Sequence, residues 1–358
     1  MMYNIYMVCI AAFIILILVG VVVAFLSIFN RDLGRKYLKV LKKSWHCFTR
    51  RISFRKCDTS FSEDVKTTLL KKVVIKKPKL VKPLSVALEV GSILIVVITV
   101  WSLIEGAKAG LALWTLGTCN VNQPANCALG SEICSLEETN LNWFEEWGEI
   151  FKNIPDRLKN WSAEDYFVEP MPSLNKAENP STTALDIFDP GCPVCMQSYK
   201  NQLKNQNFLN KHKIYLMIYP IKLSDGNYKY QNSGIIAKYF NALTLLSKET
   251  ETASKNPYKD LDAELINRIF TEEDQDGVNY QSAFNNNYSK ETAEKTIKDW
   301  LGEWGLSADE VKRVTDYANG EEVKSRMAKI AEVVENEIKP KGIPTLIYDG
   351  KKHLGLYK

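Results

Sequence analysis

An α/β domain carried behind two membrane-spanning helices is the architecture the sequence predicts, and three observations predict it. Two long apolar runs, Ile5–Phe29 and Leu84–Ile104, lie in the first third of the 358-residue chain. Strand-like apolar segments at 183–188 and 213–219 flank a short helical pattern. A long helical block then separates them from a closing strand–turn–strand unit after Gly342.

The first run is long enough to cross a bilayer as a helix. A cleaved signal peptide carries positive charge ahead of a shorter apolar core, and Met1–Asn4 carries none, so the run is read as a retained anchor. In the second run the uninterrupted core, Val90–Ile104, is short for a span, and a buried helix of a soluble domain is the alternative. Glu89 stands near its start and Trp101 near its end, where interfacial aromatic residues sit.

Between the two runs, Arg31–Lys82 holds 17 Lys or Arg against 4 Asp or Glu. Such a stretch resembles a nucleic-acid-binding arm in composition, but two flanking spans make the positive-inside rule the simpler account, and no nucleic acid is expected as partner. The loop is then cytoplasmic, the N-terminus and everything after Ile104 lie on the far side, and the cationic clusters face lipid headgroups. Glu105–Gly117 carries Glu105 and Lys108, which suit an interfacial helix better than a third span. The net charge of +4 is therefore segregated: after Gly117 there are 36 Asp or Glu against 28 Lys or Arg.

Of eight cysteines, Cys9 falls in the first span and Cys47 and Cys57 in the cytoplasmic loop, where no disulfide is expected. Cys119, Cys127 and Cys134 follow in a polar, Asn-rich stretch, and three is an odd number. Two of them pairing would staple a loop with little core of its own. The functional alternative is a relay in which one of them exchanges with Cys192. From Leu141 to Tyr166, Trp143, Phe144, Trp147, Ile150, Phe151, Ile154, Leu158 and Trp161 recur at helical spacing, a core or docking stripe. Pro170–Thr182 reads as a linker or extended lead-in.

The chemistry concentrates at Thr183–Tyr199. A strand pattern ends at Asp189-Pro190-Gly191, and after Cys192 the chain enters a helical pattern with Cys195, Tyr199 and Leu203 four apart. The CxxC thus sits at a strand-to-helix junction, where free backbone N–H groups and the helix dipole favour a thiolate. Cys192 is the expected exposed nucleophile and Cys195 the buried resolving thiol. A zinc site would need further ligands, but no second CxxC or CxxH follows, and the histidines are only His46, His212 and His353. Glu272, Asp274, Asp276 and Gly277 look like the start of a calcium loop, but its twelfth position is Ala283, so no metal is expected.

This segment resembles the active site of thioredoxin-fold thiol–disulfide oxidoreductases. Asp186, six residues before Cys192, matches the family's buried carboxylate that moves protons for the resolving cysteine. Gly342-Ile343-Pro344-Thr345 is similar to its cis-proline loop, followed by a strand, an Asp349-Gly350 hairpin turn and another strand. The resemblance implies a thioredoxin-like fold over 182–358 with catalytic Cys192, Cys195 and Asp186, a redox-active Cys192–Cys195 disulfide and no other cofactor. It also implies substrate contacts at Pro193, Val194, Ile343 and Pro344. The helical patterns over about 232–339, including Ser307–Glu310 as a capping box, form an insertion like that of the DsbA-like branch.

The chain departs from the family in two places. Pro193-Val194 is neither the histidine-containing dipeptide of strong oxidants nor the Gly-Pro of reducing thioredoxins, and Ile343 is a thioredoxin-like choice. The family's last helix is also missing after the hairpin. An open sheet face would forgo burial worth about 25 cal/mol per Å², so the 141–166 helix or a partner protein is expected to cover it. The expected organisation is 1–30 first span, 31–83 cytoplasmic loop, 84–117 second span and interfacial segment, 118–181 cysteine-containing amphipathic region, and 182–358 folded domain. The expected function is membrane-tethered, extracytoplasmic thiol–disulfide exchange of bacterial type on cysteine-containing secreted or envelope proteins, with oxidation favoured and a membrane redox partner recycling the site. Disulfide reduction, or a non-catalytic envelope assembly component on the same scaffold, is the alternative.

Overall fold

The computed structural model describes residues 81–126, 134–135, 139–174, 180–252 and 255–357. The first apolar run, the basic loop up to residue 80, and Cys127 lie outside them. The chain divides into two units at Lys108.

Helix α1, Val81–Leu116, is one unbroken helix of 36 residues, so the break expected after Ile104 does not occur. Glu105 and Lys108 sit one turn apart and pair with each other at 3.0 Å, which removes the conflict between their charges and a continuous helix. The portion long and apolar enough to cross a membrane is Val97–Leu116, shifted toward the C-terminal end of the expected span. Gly117, at φ +73°, ends the helix in the left-handed conformation that glycine adopts without steric cost.

After β1 (Cys134–Ser135) come α2 (Trp143–Lys152) and α3 (Ile154–Leu158). Asn142 caps α2 by accepting from the N–H groups of Phe144 and Glu145, and Glu145 closes the capping box. The aromatic stripe does not bury as a unit: Phe144 is 78 % and Leu158 70 % exposed. Only the C-terminal end of the 141–166 segment, with Val168 just beyond it, reaches the main core. Trp161, Ala163, Tyr166 and Val168 join the main core, and the Trp161 N–H donates to Gly350 O at 3.0 Å.

The central sheet runs in the order His212–Ile218 (β3), Thr182–Phe188 (β2), Thr345–Tyr348 (β5) and Lys351–Leu354 (β6). β2 (Thr182–Phe188) leads into α4 (Pro193–Lys204) and α5 (Gln206–Lys211), which return the chain to β3 (His212–Ile218), parallel to β2. Both strands are rich in Ile, Leu, Phe and Met because the sheet interior is covered on both faces. The stretch read as a linker is an edge partner: Leu174 N–H donates to Ile214 O, and Leu216 N–H to Pro172 O. Arg326 fastens it, donating to the carbonyls of Val168 and Pro170 and to Asn241 Oδ1 from a buried position.

The insertion comprises α6 (Ser233–Glu249), α7 (Leu261–Thr271), α8 (Tyr280–Asn286), α9 (Lys290–Glu303), α10 (Ala308–Ala318) and α11 (Glu321–Glu332), closed by a π turn at Val333–Ile338. Its buried faces are those the periodicity marks, including Phe240, Leu243, Ile266, Ile269, Ile297 and Trp300. The Ser307–Glu310 capping box forms. β4 (Gly342–Ile343), β5 (Thr345–Tyr348) and β6 (Lys351–Leu354) complete the chain's strands. β5 runs antiparallel to β2, and positive φ at Asp349 and Gly350 makes the two-residue hairpin turn to β6. This is a thioredoxin-like α/β fold with a helical insertion.

Candidate active site

Cys192 occupies the N-cap of α4, with Pro193 as the first helical residue. The Cys195 N–H donates to Cys192 Sγ at 3.4 Å, so the helix end presents a donor to this sulfur as the sequence requires. Pro193 is exposed at a groove lined also by Tyr228, Tyr230, Ile235, Lys238 and Asn285, and Val194 is half-buried.

The disulfide differs from the expected one. Cys192 is bonded to Cys134, 58 residues upstream, with Cα atoms 6.4 Å apart, and Cys195 is a free, buried thiol. Cys192, expected to be exposed, is 0 % exposed. The physical reason is a strand pairing: β1 runs antiparallel to β4, with Cys134 opposite Ile343 and Ser135 opposite Gly342, which brings the Cys134 sulfur to the helix end. Cys134 therefore does not staple the loop it lies in. Cys119 is also disulfide-bonded, and none of Cys134, Cys192 and Cys195 is its partner.

The peptide Ile343–Pro344 is cis, and both residues are buried beside the disulfide. Thr345 Oγ1 donates to Gly342 O at 2.8 Å and the Gly355 N–H to Pro344 O at 2.8 Å, fixing the loop from both sides.

Beneath the CxxC lie two carboxylates. Asp186, on β2, is 2 % exposed. Burial pushes its carboxyl up to about 7 against a single stabilising contact, the Gln202 Nε2 donor at 2.7 Å from Oδ2. Its Oδ1 has no hydrogen-bond partner. Asp189 is equally buried and also pushed up to about 7 by burial, but both its oxygens are engaged. Gly191 N–H donates to Oδ1 and Ile221 N–H to Oδ2, each at 2.7 Å. Burial first, and then the neighbouring Asp189 and Asp186, hold the Cys195 thiol well above the ordinary cysteine range, against the Asp189 backbone N–H that favours its thiolate.

The insertion holds the turn that presents Cys192. Gln281 Nε2 on α8 donates to Pro190 O at 2.8 Å and Cys192 O at 3.0 Å, and Asn285 Nδ2 donates to Gly191 O at 2.7 Å. A Cβ on Gly191 would run into the Tyr230 side chain, so the glycine allows the tyrosine's close approach. The Tyr230 hydroxyl donates to Cys134 Sγ at 3.1 Å. Nothing local marks Tyr230, Gln281 and Asn285, about forty to ninety residues away, as neighbours of the CxxC, and Asp189 reads from the sequence only as the end of the strand before the turn. Among the described residues no cluster of His, Cys, Asp and Glu is arranged to hold a metal.

No family model matches the sequence, and no curated protein matches it. Solved structures are similar to about half the chain. A thioredoxin-like oxidoreductase from Silicibacter pomeroyi is 13% identical, covering 54% of this chain and 88% of its own, with a TM-score of 0.35. The thiol-disulfide exchange protein alpha-DsbA2 from Wolbachia pipientis is 20% identical, with coverages of 55% and 85% and a TM-score of 0.36. The MdbA thiol-disulfide oxidoreductase from Corynebacterium matruchotii is 16% identical, with coverages of 53% and 90% and a TM-score of 0.34.

Proposed function

We propose that the chain is a thiol–disulfide oxidoreductase that exchanges disulfides with cysteine-containing proteins outside the cytoplasm. The observation that carries this reading is a disulfide sulfur at a helix N-cap, Cys192, with a free thiol one turn on, Cys195, the disulfide's other cysteine standing opposite Ile343 of the cis-proline peptide. A disulfide placed so exchanges by thiolate attack through a mixed disulfide. In the oxidising direction a substrate thiolate attacks Cys192 in a Cys192–Cys195 disulfide, and the substrate's second thiol then displaces Cys192. Cys195 leaves as a thiolate and takes a proton. Asp186 is the group to supply it, because its bare Oδ1 and raised pKa keep it protonated near neutral pH. Pro193, Val194, Ile343 and Pro344 form the rim and edge that an extended substrate segment meets.

Oxidation is the favoured direction, since the Cys195 N–H at the helix end stabilises Cys192 as a leaving thiolate. The apolar Val97–Leu116 helix and the basic stretch before it support a membrane tether with the cytoplasmic side at the basic stretch and the domain opposite. A membrane redox partner then recycles the site. The test is to equilibrate the full chain with glutathione buffers and follow its exchange with a two-cysteine peptide. A potential around −120 mV marks a disulfide donor and one around −270 mV a reductant. A Cys192→Ser variant that still oxidises or reduces the peptide would sink the reading.

A further inference from the structure

The edge that a substrate would use is already occupied by the chain itself. β1 pairs antiparallel with the two residues before the cis-proline, and its cysteine is bonded to Cys192. Strand pairing beside the redox cysteine and a sulfur bonded to that cysteine are the two halves of a mixed disulfide with a bound peptide. Cys134, Cys192 and Ile343 are all buried, so neither the sulfur nor the edge is open to a second segment. The Tyr230 hydroxyl donates to Cys134 Sγ and to no other group on the described site.

We infer that β1 is a built-in substrate mimic and Cys134 a third exchange-active cysteine, so that the protein rests as its own mixed disulfide. The inference rests on the exchange reading above and adds what controls access to the site. Opening needs no external oxidant. The Cys195 thiol gives its proton to a base and its sulfur attacks Cys192 Sγ; the Cys192–Cys195 bond forms and the Cys134–Cys192 bond breaks. The electron pair leaves on Cys134 Sγ, where the Tyr230 O–H supports it until the thiolate takes a proton from solvent. One disulfide is present before and after. β1 then leaves the edge free for an external strand of the same chemistry: an extended cysteine segment antiparallel to Gly342–Ile343, with a small residue after its cysteine, as Ser135 follows Cys134 opposite Gly342.

The mimic competes as a tethered ligand, whose effective concentration is on the order of millimolar. Full chains carrying Cys195→Ala or Cys134→Ser/Cys195→Ala are reduced, freed of reductant and mixed with about 0.1 mM of a one-cysteine peptide bearing a glutathione mixed disulfide, a concentration about tenfold below that estimate. They are then acid-quenched, alkylated and mapped by mass spectrometry. The double variant is expected to hold at least about tenfold more Cys192–peptide adduct, with the single variant yielding the Cys134–Cys192 linkage instead. Equal adduct in both, with Cys134 alkylated, overturns the mimic and leaves the exchange reading standing. No adduct in either overturns the exchange reading and the inference with it. In the unmutated chain, Cys134 linked to Cys119 or Cys127 with Cys192 linked to Cys195 at every redox setting also overturns it.

Discussion

Asp186 and Asp189 are three residues apart, both buried and both pushed up to about 7 by burial, yet they hold different parts of the site. Asp189 closes the turn before Cys192, its two oxygens each taking a backbone N–H. Asp186 faces the CxxC helix from the sheet with one donor and one bare oxygen. Equal burial does not make equal roles. A carboxylate whose acceptors are filled braces the backbone, whereas one with an open oxygen in the same low dielectric is free to carry a proton.

Asp189→Ala is the change that breaks the comparison most. It leaves the buried N–H groups of Gly191 and Ile221 unpaired, and at about 1–3 kcal/mol each the expected loss is about 4 kcal/mol in urea unfolding. A loss within error of zero would mean that the turn does not depend on this carboxylate.

Asp186→Asn should act with the opposite sign. The folded pKa of about 7 exceeds the ordinary 3.8, so between those values the native state holds a proton that the unfolded chain gives up. Its contribution to stability is complete below about pH 4, falls as pH rises toward 7 and is flat above. Relative to the unmutated chain, the variant should gain nothing at pH 4 and on the order of 2–4 kcal/mol at pH 8, while the Cys195 step slows about a hundredfold. Urea unfolding at several pH values with the disulfide intact reads the first, and stopped-flow exchange the second. A variant that gains at all pH values alike would remove Asp186 as a titrating group.

Gln281→Ala tests whether the insertion braces the same turn from the other side. Removing its donors to Pro190 O and Cys192 O should cost about 1–3 kcal/mol without altering the pH dependence assigned to Asp186. Tyr230→Phe is the mildest change. It removes the donor to Cys134 Sγ, worth about 0.5–1.5 kcal/mol, and should slow release of Cys134 about two- to tenfold while leaving the disulfide map unchanged. A Tyr230→Phe chain that opens as fast as the unmutated one would show that the hydroxyl does not support the departing sulfur.

Much of the architecture was legible in the chain because it depends on near neighbours. The CxxC at a strand–helix junction, the Asp349-Gly350 hairpin turn and the buried faces of α6, α7, α9 and α10 are each specified within a few residues, by periodicity, φ preferences and capping. Asp186 was marked only by the resemblance, because an acidic residue inside a strand pattern does not show its own burial; in the structure it is 2 % exposed. Of the two readings of Pro170–Thr182, linker or extended lead-in, residues 172–174 take the second, and prolines among polar residues give no sign that this backbone pairs with β3. The aromatic stripe was read as one surface, yet only the turn beginning at Trp161 reaches the sheet's core.

Which sulfur bonds Cys192 is a non-local outcome. An odd cysteine in a polar stretch has several partners open to it, and spacing along the chain does not rank them. The ranking comes from the pairing of β1 with Gly342–Ile343, which joins segments more than two hundred residues apart and sets Cys134 against the helix end. The donors of Gln281 and Asn285 arrive the same way, across about ninety residues. The CxxC at its strand–helix junction and the periodic elements around it were legible because they are local; what pairs with Gly342–Ile343 was left to non-local contacts, whose cost in loop closure is met only once the whole domain has folded.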